Sequence, residues 1–506
     1  MSLRYQNPII HADYADPDVI RTGDDFWLIS SSFNQLPGIP ILHSRDLIHW
    51  QIVNHVIPRL PAGEYDTVQP GKGVWAPSIR YHAGRFWVFF SIPDDGIFLC
   101  HTDDPRGQWS TPVCLKRVPG WIDPCPFWDD DGRAWLVHGF AYSRSGIKNK
   151  LQLIEMAPDG SHLLDDGRII VDGTLSHPTL EGPKLYKYNG LYWIFCPAGG
   201  VKRGWQTVMR ATSLTGPWEI RDVLHQGDTL INGPHQGGWI ALDNGEHWFI
   251  HFQDKGVYGR IIHLQPMRWQ EDGWPLIGTP IGEGKGQPVM SHSLPTLPLS
   301  PCSLQTSDDF SHGQPGLQWQ WQANPRKEWL LPGQSGLTLR CAPLAKWQGA
   351  CALYATPQLL LQKWPAARFT LTVSLQPTRL LVGDEGGLVF YGERYAALCV
   401  VQTEQGQRLQ LRHGWMSDKG VLEETCYKIA DLSQGEGIEL VCDVSYDGIC
   451  RFSYRPQKGE FHPVSQTFSA GAGKWIGARM GIYAGSSQEN SEGHIRFEAF
   501  KVTLTD

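Results

Sequence analysis

The 506-residue sequence lacks the features that mark several large classes of protein. It has no apolar run as long as a signal peptide needs, and none near the roughly 18 residues of a membrane span. Basic residues do not cluster, and a net charge of −7 argues against nucleic acid or an anionic membrane as a partner. We therefore expect no nucleic-acid partner, no membrane partner and a cytoplasmic location.

Cysteine pairs and helical periodicity are missing as well. The eleven cysteines are odd in number and scattered, without a Cys-x-x-Cys pair, which argues against a disulfide framework and a structural zinc site. No stretch repeats its apolar residues with the period of an amphipathic helix. Short aromatic stretches broken by Gly and Asp turns occur instead, and this pattern predicts an all-β protein.

A short motif recurs along the first half of the chain: a proline, an apolar strand, a turn with glycine and a strand with tryptophan. The motif begins at Pro17, Pro77, Pro124, Pro183 and, in a weaker fifth copy, Pro234. Successive copies are 60, 47, 59 and 51 residues apart. Repeats of about 50 residues with roughly four strands each are typical of propeller blades. We predict a five-bladed β-propeller catalytic domain over residues 1–285.

The second half of the chain has a different pattern. Four prolines between positions 288 and 301 punctuate a segment with few strand signals, which predicts a linker over residues 286–306. Beyond it, polar and apolar residues alternate with a period of two, as in residues 368–373 and 438–444. This alternation predicts a β-sandwich over residues 307–506.

Three acidic residues stand at the aligned starts of inner strands: Asp16 in the first copy, Asp123 in the third and Glu181 in the fourth. In a propeller these strand starts converge on one mouth of the channel. Cleavage of a glycosidic bond needs two flanking carboxyls, one to protonate the leaving oxygen and one to activate water or attack carbon. A third negative charge raises the pKa of the acid and helps keep it protonated.

The lengths of these side chains divide the roles. Glu181 reaches further and suits the general acid, while Asp16 would hold a water on the opposite face and Asp123 would tune the pKa of the acid. An Asp before Pro is also a common turn former, so each residue alone has a structural alternative. Their coincidence at aligned positions is what favours a catalytic role.

Taken together, these motifs resemble glycoside hydrolase family 43. The matching segments are residues 15–18, 33–50, 73–78, 122–124 and 180–187, and the resemblance covers nearly the whole chain. The second half, from residue 308, is similar to the concanavalin-type β-sandwich appended to the β-xylosidases of that family. The resemblance implies a five-bladed propeller and inversion of configuration, with Asp16 as general base, Asp123 as pKa modulator and Glu181 as general acid. Inversion predicts base and acid carboxyls roughly 6.5 to 9.5 Å apart.

The resemblance also implies a pocket that binds one sugar. Phe33 and Trp75 would form apolar walls, because an aromatic face can cover the C–H side of a sugar ring. Arg260 matches a family arginine that lies among the acids and the hydroxyls of the first sugar; a surface salt bridge is the alternative. Core packing is the alternative for Trp75.

A histidine and an ion complete the implied site. His235 matches a histidine that in many relatives faces the channel and coordinates calcium or water, although a single histidine is a poor metal site. His251 is the alternative candidate for the histidine that faces the channel. We expect that the chemistry requires no cofactor, with a calcium ion in the channel as a candidate, and that the chain forms a homo-oligomer.

The leading hypothesis is an inverting exo-glycosidase that releases terminal β-D-xylose or α-L-arabinofuranose from xylo- or arabino-oligosaccharides. Lys184 and Cys125 depart from the commoner family motifs, which loosens the choice of sugar. A dedicated α-L-arabinofuranosidase is the alternative within the class. From other classes, the alternatives are a noncatalytic carbohydrate-binding propeller and a protein-interaction scaffold, which predicts an open channel.

Overall fold

Five antiparallel sheets follow one another along residues 18–277 of the structure, a computed structural model that describes residues 3–333 and 335–505. Each sheet runs in chain order from an inner to an outer strand, and inner strands of neighbouring sheets contact one another. The inner strand of the last sheet contacts that of the first, which closes the ring. The prediction of a five-bladed propeller is confirmed.

The blades are named 1 to 5 in chain order. Blade 1 contains Asp18–Thr22, Asp25–Ile29, Gly38–Ser44 and Gln51–Ile57. Blade 2 contains Trp75–His82, Arg85–Ile92, Gly96–Thr102 and Val113–Arg117. Blade 3 contains Trp121–Trp128, Ala134–Phe140, Lys150–Met156 and Arg168–Asp172. Blade 4 contains Lys184–Tyr188, Leu191–Ala198, Trp205–Ala211 and Glu219–Leu224, and blade 5 contains His235–Ala241, His247–Asp254, Arg260–Trp269 and Pro275–Ile277.

The apolar core of the propeller lies between adjacent blades. Aromatic residues of the second strands supply much of it, because they are buried on both sides of the sheet. Trp27 of blade 1 meets Phe86 of blade 2 edge to face, with ring centroids 5.7 Å apart. Trp193 of blade 4 meets Trp269 of blade 5 in the same way at 4.7 Å. The recurring aromatic residues of the sequence motif are therefore the contacts that hold the blades together.

The chain segment before blade 1 fastens the ring. Strand Arg4–Gln6 pairs with Ser291–Ser293, and the Asn7 side chain donates to the carbonyls of Leu264 and Val289 at 2.8 and 2.9 Å. Two further strands, Thr279–Gly282 and Lys285–Gln287, extend blade 4. These short strands lie across the expected end of the propeller and into the expected linker, so the boundaries at 285 and 306 stay predictions.

Two sheets packed face to face form the second half of the chain, as the alternating pattern predicts. In sheet order, one contains Gln320–Trp321, Leu360–Lys363, Arg479–Ser486, Asp384–Tyr391, Arg394–Thr403, Gly406–Met416 and Leu422–Leu432, with Ala342–Pro343 beside Arg479–Ser486. The other contains Leu330–Leu331, Leu337–Arg340, His494–Leu504, Phe369–Arg379, Ile438–Ser445, Ile449–Pro456 and His462–Ser469. A small hairpin joins Lys346–Trp347 to Ala350–Cys351.

Helix is scarce in the part of the chain that the structure describes. It contains one α-helical turn, Tyr142–Ser145, and five 3₁₀ turns, Glu64–Asp66, Gly256–Tyr258, Lys327–Trp329, Leu353–Ala355 and Tyr446–Gly448. Among the described residues, no helix has the length and apolar character that crossing a membrane requires.

Buried polar contacts join the propeller to the sandwich. Asp13, ahead of blade 1, accepts from Arg479 Nη2 at 2.7 Å and from the backbone N–H of Gly477 at 2.9 Å. The other Asp13 oxygen accepts from the backbone N–H of Arg260 at 2.8 Å. Both Asp13 and Arg479 are only 2% exposed. A residue of the sandwich is thus held close to the strand that carries Arg260.

Candidate active site

Each inner strand begins with one residue in the left-handed region of backbone conformation. These residues are Asp16, Ala76, Asp123, Gly182 and Gln236, with φ of 52°, 30°, 56°, 59° and 54°. In blades 2, 3 and 5 the strand register shifts at this residue. Such bulges re-aim side chains and are common beside active sites, and aspartate is among the residues that enter this region most readily. The repeat therefore directs one residue from each blade to the same end of the channel.

The inner-strand residue selected from the sequence is wrong by one position in blade 4 and by one in blade 5. Gly182 occupies the left-handed position before Pro183, so Glu181 lies one residue earlier than Asp16 and Asp123 do in their blades. In blade 5 the position is Gln236, whereas the residue selected from the sequence was His235. The bulge at residues 235–237 rather than the proline sets the strand start.

A cavity of about 450 Å³ lies at this end of the channel. Its lining includes six of the seven candidate residues, namely Asp16, Phe33, Trp75, Asp123, Glu181 and Arg260. Residues 140–144 and 148–149, from the loop after the second strand of blade 3, form another part of the wall. The three acids, from blades 1, 3 and 4, thus meet in one pocket as expected.

Two donors hold the carboxylate of Asp16. Arg260 Nη1 donates to Oδ1 at 2.8 Å, and the Ser31 hydroxyl donates to Oδ2 at 2.5 Å. Ser31 in turn accepts from the backbone N–H of Ala76 at 2.8 Å, which ties blade 1 to blade 2. Hydrogen bonds of this kind to an ionised carboxylate are stronger than neutral ones and fix its orientation.

The pKa values of the other two acids are raised. Burial raises the pKa of Glu181 to about 8, and the charges of Asp123 and Asp16 act in the same direction, against Arg260. Burial likewise raises the pKa of Asp123 to about 7, with a further contribution from Asp16. Because the two carboxyls repel one another when both are ionised, the pair retains a proton at neutral pH.

The surroundings assign that proton to Glu181. The Asp123 Oδ2 atom accepts from the backbone N–H of Gly182 at 2.8 Å, and the positive charge of Lys184 also lowers the pKa of Asp123. Lys184 is fully buried and donates to the Ser78 hydroxyl at 2.6 Å. Neither of these effects acts on Glu181, so Asp123 is the better place for the negative charge.

The sandwich contributes an aromatic residue to the pocket. Trp475 lines the cavity, and its ring lies edge to face with Trp75 at 6.3 Å. The guanidinium of Arg260 lies 5.7 Å from the centre of the Trp475 ring, within the range of a cation–π contact. The guanidinium of Arg144 lies 5.1 Å from the centre of the Trp75 ring. The pocket wall is therefore built from both domains.

His235 is the candidate residue that does not line the pocket. Its ring packs on Phe252 at 4.9 Å, and Nδ1 lies 2.7 Å from the carbonyl of Gly233. Calcium takes six to eight oxygen ligands, usually with carboxylates, and the described residues contain no group of three His, Cys, Asp or Glu side chains that could hold a metal. The Nε2 atom of His235 is buried without a partner among the described residues, so a calcium ion or a water there stays a prediction, whereas His251 contacts a glutamine, Gln265, at 3.1 Å.

Three functional positions escaped the sequence interpretation: Ser31, Gln236 and Trp475. A signal for Gln236 was present, because the left-handed residues precede the tryptophan of the next strand by eleven or twelve positions in all five blades. Ser31 follows the second strand of blade 1 in a run of three serines, which has no distinctive pattern. Trp475 carries no local signal, because only domain docking brings it to the pocket.

A five-bladed propeller whose pocket collects three carboxyls, one of them protonated at neutral pH, has the groups that glycoside hydrolysis requires. Comparison with known proteins agrees with this class. The model of glycosyl hydrolases family 43 matches residues 5–275, and that of the beta xylosidase C-terminal concanavalin A-like domain matches residues 307–503. The chain belongs to glycoside hydrolase family 43 and is a glycosidase.

Individual relatives cover most of the chain. A putative beta-xylosidase of Xylanibacter ruminicola is 36% identical over 488 residues, which are 94% of this chain and 85% of that protein. The non-reducing end alpha-L-arabinofuranosidase BoGH43B of Bacteroides ovatus is 27% identical and covers 84% of this chain and 80% of its own. The crystal structure of xylan beta-1,4-xylosidase from Bacillus halodurans C-125 superposes with a TM-score of 0.86 at 25% identity, over 99% of this chain and all of that one.

Proposed function

We propose that the protein is an inverting exo-glycosidase that releases terminal β-D-xylose or α-L-arabinofuranose from xylo- or arabino-oligosaccharides. The observation that carries the proposal is the pairing of a carboxylate held by two donors, Asp16, with a carboxyl of raised pKa, Glu181. These are the two states that a general base and a general acid need. Oligosaccharides are the substrates of this class of hydrolase.

In the proposed reaction Asp16 accepts a proton from a water molecule as the water oxygen attacks the anomeric carbon. The bond from that carbon to the glycosidic oxygen breaks, and Glu181 gives its proton to the departing oxygen. One water is consumed, and the sugar leaves with inverted configuration. Asp123 remains ionised beside Glu181 and raises the pKa of its carboxyl. The chemistry uses only carboxyls and water, so no step requires a cofactor.

The wall residues favour a terminal sugar. The aromatic faces of Phe33, Trp75 and Trp475 suit the C–H side of a ring, and Arg260 and Gln236 can donate to its hydroxyls. A cavity of about 450 Å³ is within the range of sites that enclose a small ligand. The pocket is bordered on one side by Trp475 of the sandwich, and this border is the support for exo cleavage in the proposal.

A dedicated α-L-arabinofuranosidase is the second candidate. The departures at Lys184 and Cys125 from the commoner family motifs leave the choice between the two sugars open. The relatives bear names of both activities. The ratio of kcat/KM for aryl β-xyloside and aryl α-L-arabinofuranoside separates the two candidates.

The decisive test combines activity with stereochemistry. Wild-type protein, Asp16→Ala and Glu181→Ala are assayed with both aryl glycosides, and proton NMR follows which anomer forms first. Glu271→Gln, an exposed acid of a blade 5 turn, is the matched control and should retain full activity. Turnover that survives both alanine substitutions, or a first product of retained configuration, would refute the roles proposed here.

Two further properties are proposed from the sequence alone. We propose a homo-oligomer, which light scattering after size-exclusion chromatography can test. We also propose a cytoplasmic location, which fractionation of the source cells can test.

A further inference from the structure

A second cavity, of about 300 Å³, lies between the propeller and the sandwich. Its walls come from residues 9–14 ahead of blade 1, from blade 1 itself, from residues 302–306 and from strand Leu360–Lys363 of the sandwich. It shares no lining residue with the active-site pocket. Among its described lining residues there is no aspartate and no glutamate, whereas a lysine and three histidines are present.

Hydrogen-bond donors without protein partners line this cavity. The Nζ of Lys363 forms no hydrogen bond or ion pair with any described residue, and it lies 5.0 Å from the centre of the Tyr14 ring. The Nε2 of Gln362, a residue only 2% exposed, is buried without a partner, as is Nδ1 of His11. Buried donors are nearly always paired in native proteins, so the buried amide of Gln362 indicates a missing acceptor, and Lys363, which is partly exposed, supplies a charge beside it.

The local charges do not balance. Lys363 and Arg479 are direct partners across adjacent strands, and a single carboxylate, Asp13, serves both. Asp13 is bound to Arg479 at 2.7 Å, so the charge of Lys363 has no ion-pair partner. The other acid nearby, Asp46, is bound to His49 at 2.7 Å. Protonation of Lys363, which is partly exposed to the cavity, thus places a positive charge at a wall without a carboxylate, where an anion can accompany it.

We propose that this cavity binds a small oxyanion, a phosphate or a carboxylate, held by the Lys363 ammonium with the amide of Gln362 and the hydroxyl of Tyr14 as further donors. Tyr14 belongs to the propeller side and the other two to the sandwich, so the anion bridges the domains. Burial lowers the pKa of Lys363 to about 7, with Arg479 acting in the same direction and Asp13 against it. His55 and His11 also line the cavity, and burial lowers the pKa of both, with Lys363 acting in the same direction on His55. A carboxylate, whose charge is constant over this range, should therefore bind more tightly as the pH falls below 7 and Lys363 becomes charged, whereas phosphate itself loses charge over the same range.

Calorimetric titration of the full-length protein with inorganic phosphate at pH 6.5 tests the proposal. We expect saturable binding by wild type, at least tenfold weaker binding by Lys363→Met, and unchanged binding by Lys458→Met, an exposed control. A five-carbon sugar phosphate and a five-carbon aldonate are titrated in parallel. Tighter binding of either would support the site and identify the group that carries the anion.

A second variant keeps the test independent of folding. Gln362→Glu has nearly the same shape and supplies a carboxylate inside the cavity, so it should abolish phosphate binding while raising the thermal midpoint. Phosphate stabilises proteins in general by exclusion from their surface, so only differences between variants count. Equal binding by wild type, Lys363→Met and Gln362→Glu would overturn the proposal. The absence of saturable binding by wild type at about 10 mM phosphate, roughly ten times the Kd of a 1 mM site, would do the same.

Discussion

Replacing Glu181 by glutamine should lower kcat/KM and, at alkaline pH, raise the stability of the folded protein. The amide keeps the shape of the side chain but cannot give a proton to the leaving oxygen. Transfer of a proton by a positioned acid contributes about 10²- to 10⁴-fold to the rate. This factor corresponds to about 3 to 5 kcal/mol of transition-state stabilisation. We expect Glu181→Gln to lose that much kcat/KM on substrates whose leaving group needs a proton.

The pH dependence follows from the same carboxyl. In its proposed role as general acid Glu181 must be protonated, and its pKa is raised to about 8, so kcat/KM of the wild type should fall as the pH rises through about 8. The folded state holds this proton more tightly than the unfolded chain, so stability should decline as the pH rises from about 4.5 through about 8. Each retained proton is worth about 1.4 kcal/mol per pH unit over this window. In Glu181→Gln this pH-dependent loss of stability should be absent.

The assay compares leaving groups and melting curves. With 2,4-dinitrophenyl β-xyloside, whose leaving group departs without a proton, the variant should lose less than about tenfold, whereas natural xylobiose should show the full loss. At pH 8 the variant should melt above the wild type, and at pH 4.5 the two should melt alike. Glu271→Gln serves as the control in both measurements.

Two outcomes would refute this reasoning. The same loss on both leaving groups would mean that Glu181 is not the proton donor. A variant that melts at or below the wild type at pH 8 would mean that the folded state does not retain the proton.

Three other substitutions test a wall of the pocket and two sets of buried polar contacts. Trp475→Ala should lower kcat/KM about tenfold with little change in melting temperature, because the side chain is 42% exposed and contacts the pocket; an unchanged kcat/KM would contradict its role as a wall. Asp13→Asn should destabilise the protein by about 3 to 5 kcal/mol in denaturant unfolding, because it leaves the buried charge of Arg479 unpaired; a loss below about 1 kcal/mol would contradict the pairing. Asn7→Leu removes three hydrogen bonds to the backbone and should cost about 2 to 4 kcal/mol, which limited proteolysis of the propeller would also detect.

The fold could be predicted because its signals are local. Apolar alternation, aromatic second strands and Gly and Asp turns each depend on a few neighbouring residues. Their repetition identified five blades, and the predicted strand at 438–444 is observed as Ile438–Ser445. Asp16 and Asp123 could be selected for the same reason, since both precede a proline at the start of an inner strand.

The failures occur where the backbone departs from regular geometry. The strand start of blade 5 is set by a bulge and a left-handed Gln236, followed by Gly237 rather than proline. The resemblance brought His235 forward as the site residue of this blade, and the structure buries it against Phe252, outside the pocket. Counting back from Trp248 would have found Gln236, because the hairpin between the strands keeps a nearly constant length.

The sequence by itself determined the strands, their grouping into five blades and the convergence of Asp16, Asp123 and Glu181 on one end of the channel. Each depends on periodicity that strand pairing must satisfy. Only the tertiary structure decided which neighbours tune those acids and that Trp475 completes the pocket. The reason is physical: burial and neighbouring like charges, which raise the pKa of Glu181 and lower that of Lys363, arise when distant segments meet and exclude water. No local sequence pattern predicts which distant segments pack together.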